Sequence, residues 1–286
     1  MNLKPFHKNT KIHSLIDLLY FYKLKRKSQV PFSDHSFAGE LAYLKNIVLE
    51  LGIISGSVVD IAASNGVEQS STLEFYKNGF SGLAIEMNPL KFAALSFVYK
   101  DFPNVNLAKA KITPKNIVLM LKSYNLTEDI TILNLDIDSY DLDVLSSLLR
   151  DGIFPKIISL EINEKIPPGV FFKVDFNDNH YWRGDHFYGC SIDAASEVLK
   201  KFGYILVAME FNNAFFVSGE LALGKFQDLS SGEAFKSGYQ YRIERGSLFP
   251  YNANVDHWLD AKPVDALRMI EEYFKPYDGL YTLRLS

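Results

Sequence analysis

One cysteine, Cys190, is all that the 286-residue chain contains, so it can form no intramolecular disulfide and offers no zinc-type ligand spacing. No stretch approaches the roughly 18 consecutive apolar residues of a membrane-spanning helix. The opening MNLKPFHKNTK carries no apolar segment of the secretory kind. These absences predict a protein of a reducing, cytoplasmic compartment with no transmembrane segment. Positive charge is not in surplus either: 30 Lys and Arg face 34 Asp and Glu, for a net charge of -4. Bulk nucleic acid is therefore not an expected partner, because binding it usually takes a strongly basic domain. Repeats and low-complexity tracts are missing as well. With 48% hydrophobic and 22% charged residues the chain has the composition of an ordered globular protein, and its length suits one α/β domain with additions.

The most informative stretch is Ser57 to Gly66, SVVDIAASNG. Val58-Val59-Asp60-Ile61 is a short apolar strand carrying an acid. Ala62, Ala63, Ser64 and Gly66 follow, and then a polar segment expected to turn helical from Ser71. Small residues let a backbone approach a ligand closely, and a helix N-terminus beyond them offers unpaired N–H groups. A second strand, Leu83-Ala84-Ile85, delivers Glu86, a carboxylate suited to accept from both hydroxyls of a ribose. Its distance from Asp60 exceeds the roughly 20 residues between turn and acid in dinucleotide folds, so the spacing points to a nucleoside cofactor without naming it.

Further strands are expected at Val105 to Ala110, Ile130 to Leu135 and Pro155 to Leu160. Helices are expected at Ala38 to Leu51, Pro89 to Tyr99, Thr113 to Leu121, Asp141 to Leu149 and Ser191 to Phe202. A hairpin of Tyr204 to Ala208 and Ala214 to Ser218 closes the series. Repeated strand-helix units imply a parallel sheet. The expected class is α/β, a doubly wound, Rossmann-like, mostly parallel sheet with an antiparallel closing strand, plus helical N-terminal and C-terminal additions. The expected organisation is a cap over residues 1–52, the sheet domain over 53–220 and an extension over 221–286 packed on the same domain.

The order strand-Asp60-small turn-Gly66, strand-Glu86, strand-Asp136 resembles class I S-adenosylmethionine-dependent methyltransferases. Within them, GFSGLAIEMNP, KITPKNI and LDIDSYDLDVL resemble the FkbM-type and sugar O-methyltransferase-like groups. The resemblance covers about Gly56 to Ser218, and departs from the family's glycine-rich turn at Ala62 and Ser64. It implies S-adenosylmethionine as cofactor, held by Asp60, Ala62, Asn65, Gly66, Glu86, Met87, Lys111, Ile112 and Asp136. It also implies methylation of a hydroxyl on a saccharide or related small molecule.

Asp136, Asp138, Glu161 and Asn163 are expected together at the ends of two neighbouring strands. Gathering carboxylates costs free energy unless a cation offsets them, and Mg²⁺ takes oxygen ligands of this kind. Related sugar O-methyltransferases carry an aspartate pair at the first position and two adjacent acids at the second, where this chain has Glu161-Ile162-Asn163. The competing arrangement has Asp138 and Asp141 capping the next helix and Glu161 paired with a lysine. Asp175 to Cys190, DFNDNHYWRGDHFYGC, reads as a substrate-covering loop. His180 and His186 are candidate general bases there, beside Asp136 as the third catalytic candidate, and Tyr181 and Trp182 are candidates to stack on a sugar. Two rivals stand beside this reading: a metal-dependent glycosyltransferase using Asp136-Ile137-Asp138, and a non-catalytic binding protein on the same fold. Residues 1–30 hold seven Lys or Arg against one acid, Asp17, which suits either a solvated helix face or an arm for an anionic partner. A homo-oligomer is left open.

Overall fold

The computed structural model describes residues 10–31 and 33–286. Five short apolar runs make its centre: β1 (Ser57–Ile61), β2 (Ser81–Glu86), β3 (Val105–Lys109), β4 (Ile130–Leu135) and β5 (Ile157–Glu161). β1, β4 and β5 are buried along nearly their whole length, as strands covered on both faces are. The edge strand β3 is partly exposed. All five pair in parallel, in the order β3-β2-β1-β4-β5. β6 (Val170–Val174) leaves this sheet, and β7 (Tyr204–Glu210) with β8 (Asn213–Ser218) completes it. β8 runs antiparallel to both β5 and β7, so the seven strands lie in the order β3-β2-β1-β4-β5-β8-β7. This is the doubly wound sheet with an antiparallel closing strand that the sequence predicts.

Alternate residues of the strands face opposite layers. Val58, Ala84 and Ile132 pack against α1 (Thr10–Ser28), α2 (Glu40–Glu50), α3 (Leu73–Lys77) and α4 (Pro89–Tyr99). Val59, Ile85 and Leu133 pack toward α5 (Ile117–Ser123), α6 (Asp141–Arg150) and α7 (Ile192–Lys200). Asn88 caps α4, its side chain accepting from the N–H groups of Leu90 and Lys91, with Pro89 in the first turn where its missing N–H costs nothing.

Two expected helices start late. The chain after β1 runs as a loop through residue 72 before α3 begins, because Asn65 and Ser70 accept bonds from the backbone N–H groups of Val67, Glu68, Thr72 and Leu73. Such local side-chain bonds compete with helix, so no helix N-terminus directly follows the small residues. Asn116 acts likewise: its side chain accepts from Thr113 N–H and donates to the Lys111 carbonyl, delaying α5 to Ile117.

Beyond β8 come α8 (Gly219–Ala222), α9 (Ser231–Phe235), α10 (Arg245–Leu248), α11 (Pro263–Phe274) and β9 (Tyr281–Leu285). β9 pairs antiparallel with β6. Neither strand was foreseen. Val170, Phe172 and Val174 turn inward onto Trp258, Ile270 and Phe274, so a third small core covers the segment that leads into the 175–190 loop. Of the basic residues at the start of the chain, Lys4 and Lys8 lie outside the described residues, as does the Lys11 side chain. Among the described ones, Lys25 pairs with Asp101 at 2.5 Å and Lys27 with Glu68 at 3.6 Å.

Candidate active site

A cavity of about 400 Å³ opens at the carboxyl ends of β1, β2 and β4. The chain reaches β2 and β3 on one side of β1 and crosses to β4 on the other, and open α/β sheets bind ligands at such a switch point.

The first wall is the end of β1. Asp60 is buried; Asn134 Nδ2 donates to its Oδ1 at 2.9 Å and Thr72 Oγ1 to its Oδ2 at 2.6 Å. Burial raises its pKa despite those bonds. Asn134 interrupts the apolar run of β4 for this contact. Ala62 and Ser64 then take φ values of 68° and 54°, in the left-handed region where glycine is the usual residue. The chain thus keeps the backbone of a glycine turn with other residues in it. Gln69 and Asp138, also on the cavity wall, share this region at φ 61° and 54°. Non-glycine residues held in sparsely populated conformations cluster at functional sites.

The second wall is Glu86. Its Oε2 accepts from Ser64 N–H at 2.9 Å and its Oε1 from Asn88 N–H at 2.6 Å, which leaves each oxygen able to accept again. Met87 and Ile112 complete this side. Lys111 lines the cavity too, but its Nζ donates to the Asp178 carbonyl at 2.7 Å, while Lys115 pairs with the Asp178 carboxylate at 2.5 Å. Both lysines pin the 175–190 loop.

Two residues expected to touch the cofactor do not line the cavity. Asn65 works behind the loop: Nδ2 donates to Tyr20 Oη at 2.9 Å and to Glu68 Oε2 at 3.0 Å. Gly66 is glycine because of packing, since a Cβ there would sit 2.5 Å from Leu95 and 2.6 Å from Tyr99 of α4, at φ 76°.

The third wall is acidic. Carboxylate oxygens of Asp136, Asp138 and Glu161 lie within 4.8 Å of one another. The two aspartates face the cavity, and Glu161 is buried behind them. Burial and then the charges of Asp138 and Asp141 push Asp136 up to about 8. Burial and then Asp136 push Glu161 well above the carboxylate range. Glu161 Oε2 and Asn163 Oδ1 are buried without a hydrogen-bond partner, the Asn163 amide being oriented by Nδ2 bonds to the His186 and Tyr188 carbonyls at 2.9 and 3.0 Å. Neither competing role is taken up by Asp138 or Glu161. Asp141 alone brackets the turn, accepting from Ile137 N–H at 2.7 Å and Ser139 N–H at 3.0 Å. The nearby Lys165 pairs with Glu164 at 3.2 Å instead of Glu161. The three carboxyl groups therefore form an oxygen-rich set in which Glu161 Oε2 has no hydrogen-bond donor, and it fits a hard divalent cation.

The two histidines separate. His180 reaches the cavity wall with Nε2 buried and unpartnered, edge-on to Phe187, and burial lowers its pKa. His186 lies elsewhere. It stacks on Tyr251 at 5.6 Å and bonds Asn254 Oδ1 at 3.0 Å, so the C-terminal segment holds it away from the cavity. Tyr181 lines the cavity, whereas Trp182 donates to the Asp185 carbonyl and leans on Tyr188.

Glu40 was not anticipated. It stands on α2, lines the cavity, and accepts from Asn213 Nδ2 at 2.6 Å. Burial and then Asp136 raise its pKa well above the usual value. Asn213, at the start of β8, also lines the cavity, so this contact joins segments more than 170 residues apart.

No known family model matches the chain, and no curated protein matches it in sequence. Among solved structures it is similar to the N-terminal domain of EvdMO1 with SAH bound, at 13% identity and a TM-score of 0.44 over 72% of this chain and 96% of that one. A SAM dependent methyltransferase from Aquifex aeolicus matches at 16% identity and TM-score 0.37, over 69% of this chain and 96% of that one. A putative O-methyltransferase from Klebsiella pneumoniae matches at 13% and 0.41, over 73% and 94% respectively. Likeness at this level carries no argument about chemistry, which has to come from the cavity itself.

Proposed function

We propose that the chain is an S-adenosylmethionine-dependent O-methyltransferase acting on a hydroxyl of a saccharide or related small molecule, with a divalent cation at Asp136, Asp138 and Glu161. The observation that supports it is the unit made by the left-handed Ala62–Ser64 turn and Glu86, set beside a carboxylate cluster at the end of β4. In this reading Glu86 accepts from the ribose hydroxyls, and Met87 and Ile112 hold the apolar faces of the adenine. Asp60, held by Asn134 and Thr72, lines the cavity beside the turn. S-adenosylmethionine held there would supply an electrophilic sulfonium methyl group for an acceptor oxygen, with a neutral thioether as its leaving group. Mg²⁺ at the carboxylates, with Asn163 Oδ1 as a further oxygen, would lower the pKa of an acceptor hydroxyl. His180, which lines the cavity with Nε2 unpartnered, is the group that takes the acceptor's proton. The loop from 175 to 190, pinned by Lys111 and Lys115, excludes water from that side.

The test is a thermal melt with S-adenosylmethionine, S-adenosylhomocysteine or a nucleotide sugar, each with Mg²⁺ and with EDTA. A ligand at 100 times its dissociation constant adds about 2.7 kcal/mol to stability, a readily measured rise. A rise with the adenosyl ligands supports the reading. A rise with the nucleotide sugar alone overturns it and gives Asp136-Ile137-Asp138 to a glycosyl donor. No rise with any ligand overturns it in favour of a non-catalytic protein.

A further inference from the structure

The outward face of α1 is apolar. Leu15, Leu18 and Leu19 are 57%, 42% and 61% exposed, and their spacing places them on one side of the helix, while Tyr22 at the edge of that side packs edge-on against Phe97 of α4 at 5.0 Å. Leu24, on the opposite side, is buried in the core that α1 shares with α4. A surface helix ordinarily turns its polar side to water, so among the described residues Leu15, Leu18 and Leu19 face no partner. Lys23 and Arg26 are exposed beside it. Residues 1–30 carry seven basic residues against Asp17, in a chain whose total is 30 basic against 34 acidic. Positive charge is thus concentrated at this end and the remainder is acidic.

We propose that α1 is an interfacial helix that seats on an anionic lipid surface. The apolar residues enter the boundary between headgroups and acyl chains, and Lys23 and Arg26 meet lipid phosphates. Stable anchoring of this kind needs both signals together. No helix among the described residues is long and apolar enough to cross a membrane, so α1 lies along the surface. A second copy suits the face less well, since pairing α1 with α1 would bring Lys23 and Arg26 toward their own counterparts. The helix is also tied to the cavity: Tyr20 donates to Glu68 Oε2 at 3.2 Å and accepts from Asn65 Nδ2 at 2.9 Å, and Glu68 lines the cavity. Seating α1 would therefore fix the orientation of the cavity to the lipid. None of this depends on which reaction the cavity performs.

The test is co-sedimentation of the full chain with vesicles of phosphatidylcholine alone or mixed with phosphatidylglycerol, with circular dichroism melts confirming that each variant folds. Binding is expected to the anionic vesicles only, to fall with added salt, and to drop roughly tenfold or more in Leu15→Glu/Leu19→Glu and in Arg26→Glu. Absence of binding, or binding equal in wild type and in Leu15→Glu/Leu19→Glu, overturns the proposal. So does a dimer in sedimentation velocity that Leu19→Glu dissociates while vesicles fail to bind, which gives the face to a second copy.

Discussion

The backbone N–H of Ser64 donates to Oε2 of Glu86 at 2.9 Å, joining the turn after β1 to the acid at the end of β2. Removing the carboxylate therefore acts twice, on the ligand and on the turn. Glu86→Ala is expected to weaken S-adenosylhomocysteine binding by about 1.5–3 kcal/mol, the worth of hydrogen bonds to a charged acceptor, and to lower the melting temperature of the ligand-free protein. Calorimetric titration measures the first effect and a melt the second. Unchanged affinity would remove Glu86 from the site.

Ser64 pays for a left-handed φ of 54°, which costs a non-glycine residue about 1–2 kcal/mol. Ser64→Gly removes that strain but adds about 0.5–1 kcal/mol of chain entropy to be lost. The net expectation is a neutral or slightly higher melting temperature with ligand affinity kept, whereas Ser64→Val, β-branched at the same φ, is expected to lower both. A melt that falls with glycine would show that the serine side chain has a task of its own.

The acidic wall makes stability depend on pH. Asp136 is raised from 3.8 to about 8 and Asp141 to about 6, so the folded state holds these protons more tightly than the unfolded chain does. Their contribution is complete below about pH 4 and is lost as pH climbs toward 8. In EDTA the melting temperature is expected to fall from about pH 4 to pH 8, with the part above pH 6 smaller in Asp136→Asn. A cation favours the ionised carboxylates, so the gain from Mg²⁺ should grow over the same interval. A gain independent of pH, or none, would count against a metal at these residues.

His180 and His186 should divide cleanly. His180→Gln is expected to lower kcat by roughly a hundredfold or more, as loss of a general base does, with little change in melting. Burial holds its pKa below 6.5, so the acidic limb of kcat in the wild type should lie below that value. His186→Ala loses the Tyr251 stack and the Asn254 bond, and should destabilise by about 1–2 kcal/mol while kcat holds. Equal loss of kcat in both would return His186 to the chemistry.

The strands β1, β2, β4 and β5 were legible because strands covered on both faces read as continuous apolar runs, and the acids at their carboxyl ends stand out against that background. Asp60, Glu86, Asp136 and Asp138 could be read in this way, each lying within or next to a strand. β6 and β9 could not, since Phe172 pairs with Leu283 and a short strand of this kind is made by its partner. Glu40 and His186 were hidden for the same reason. A polar side chain faces a cavity or turns from it according to what packs around it, and the residues that decide this, Asn213 for Glu40 and Tyr251 with Asn254 for His186, lie far along the chain. The sequence by itself determined the parallel sheet and the acids at its edge, through local apolar periodicity. Tertiary structure alone decided which of the polar residues meet at the cavity, because burial and hydrogen-bond satisfaction are settled between distant segments.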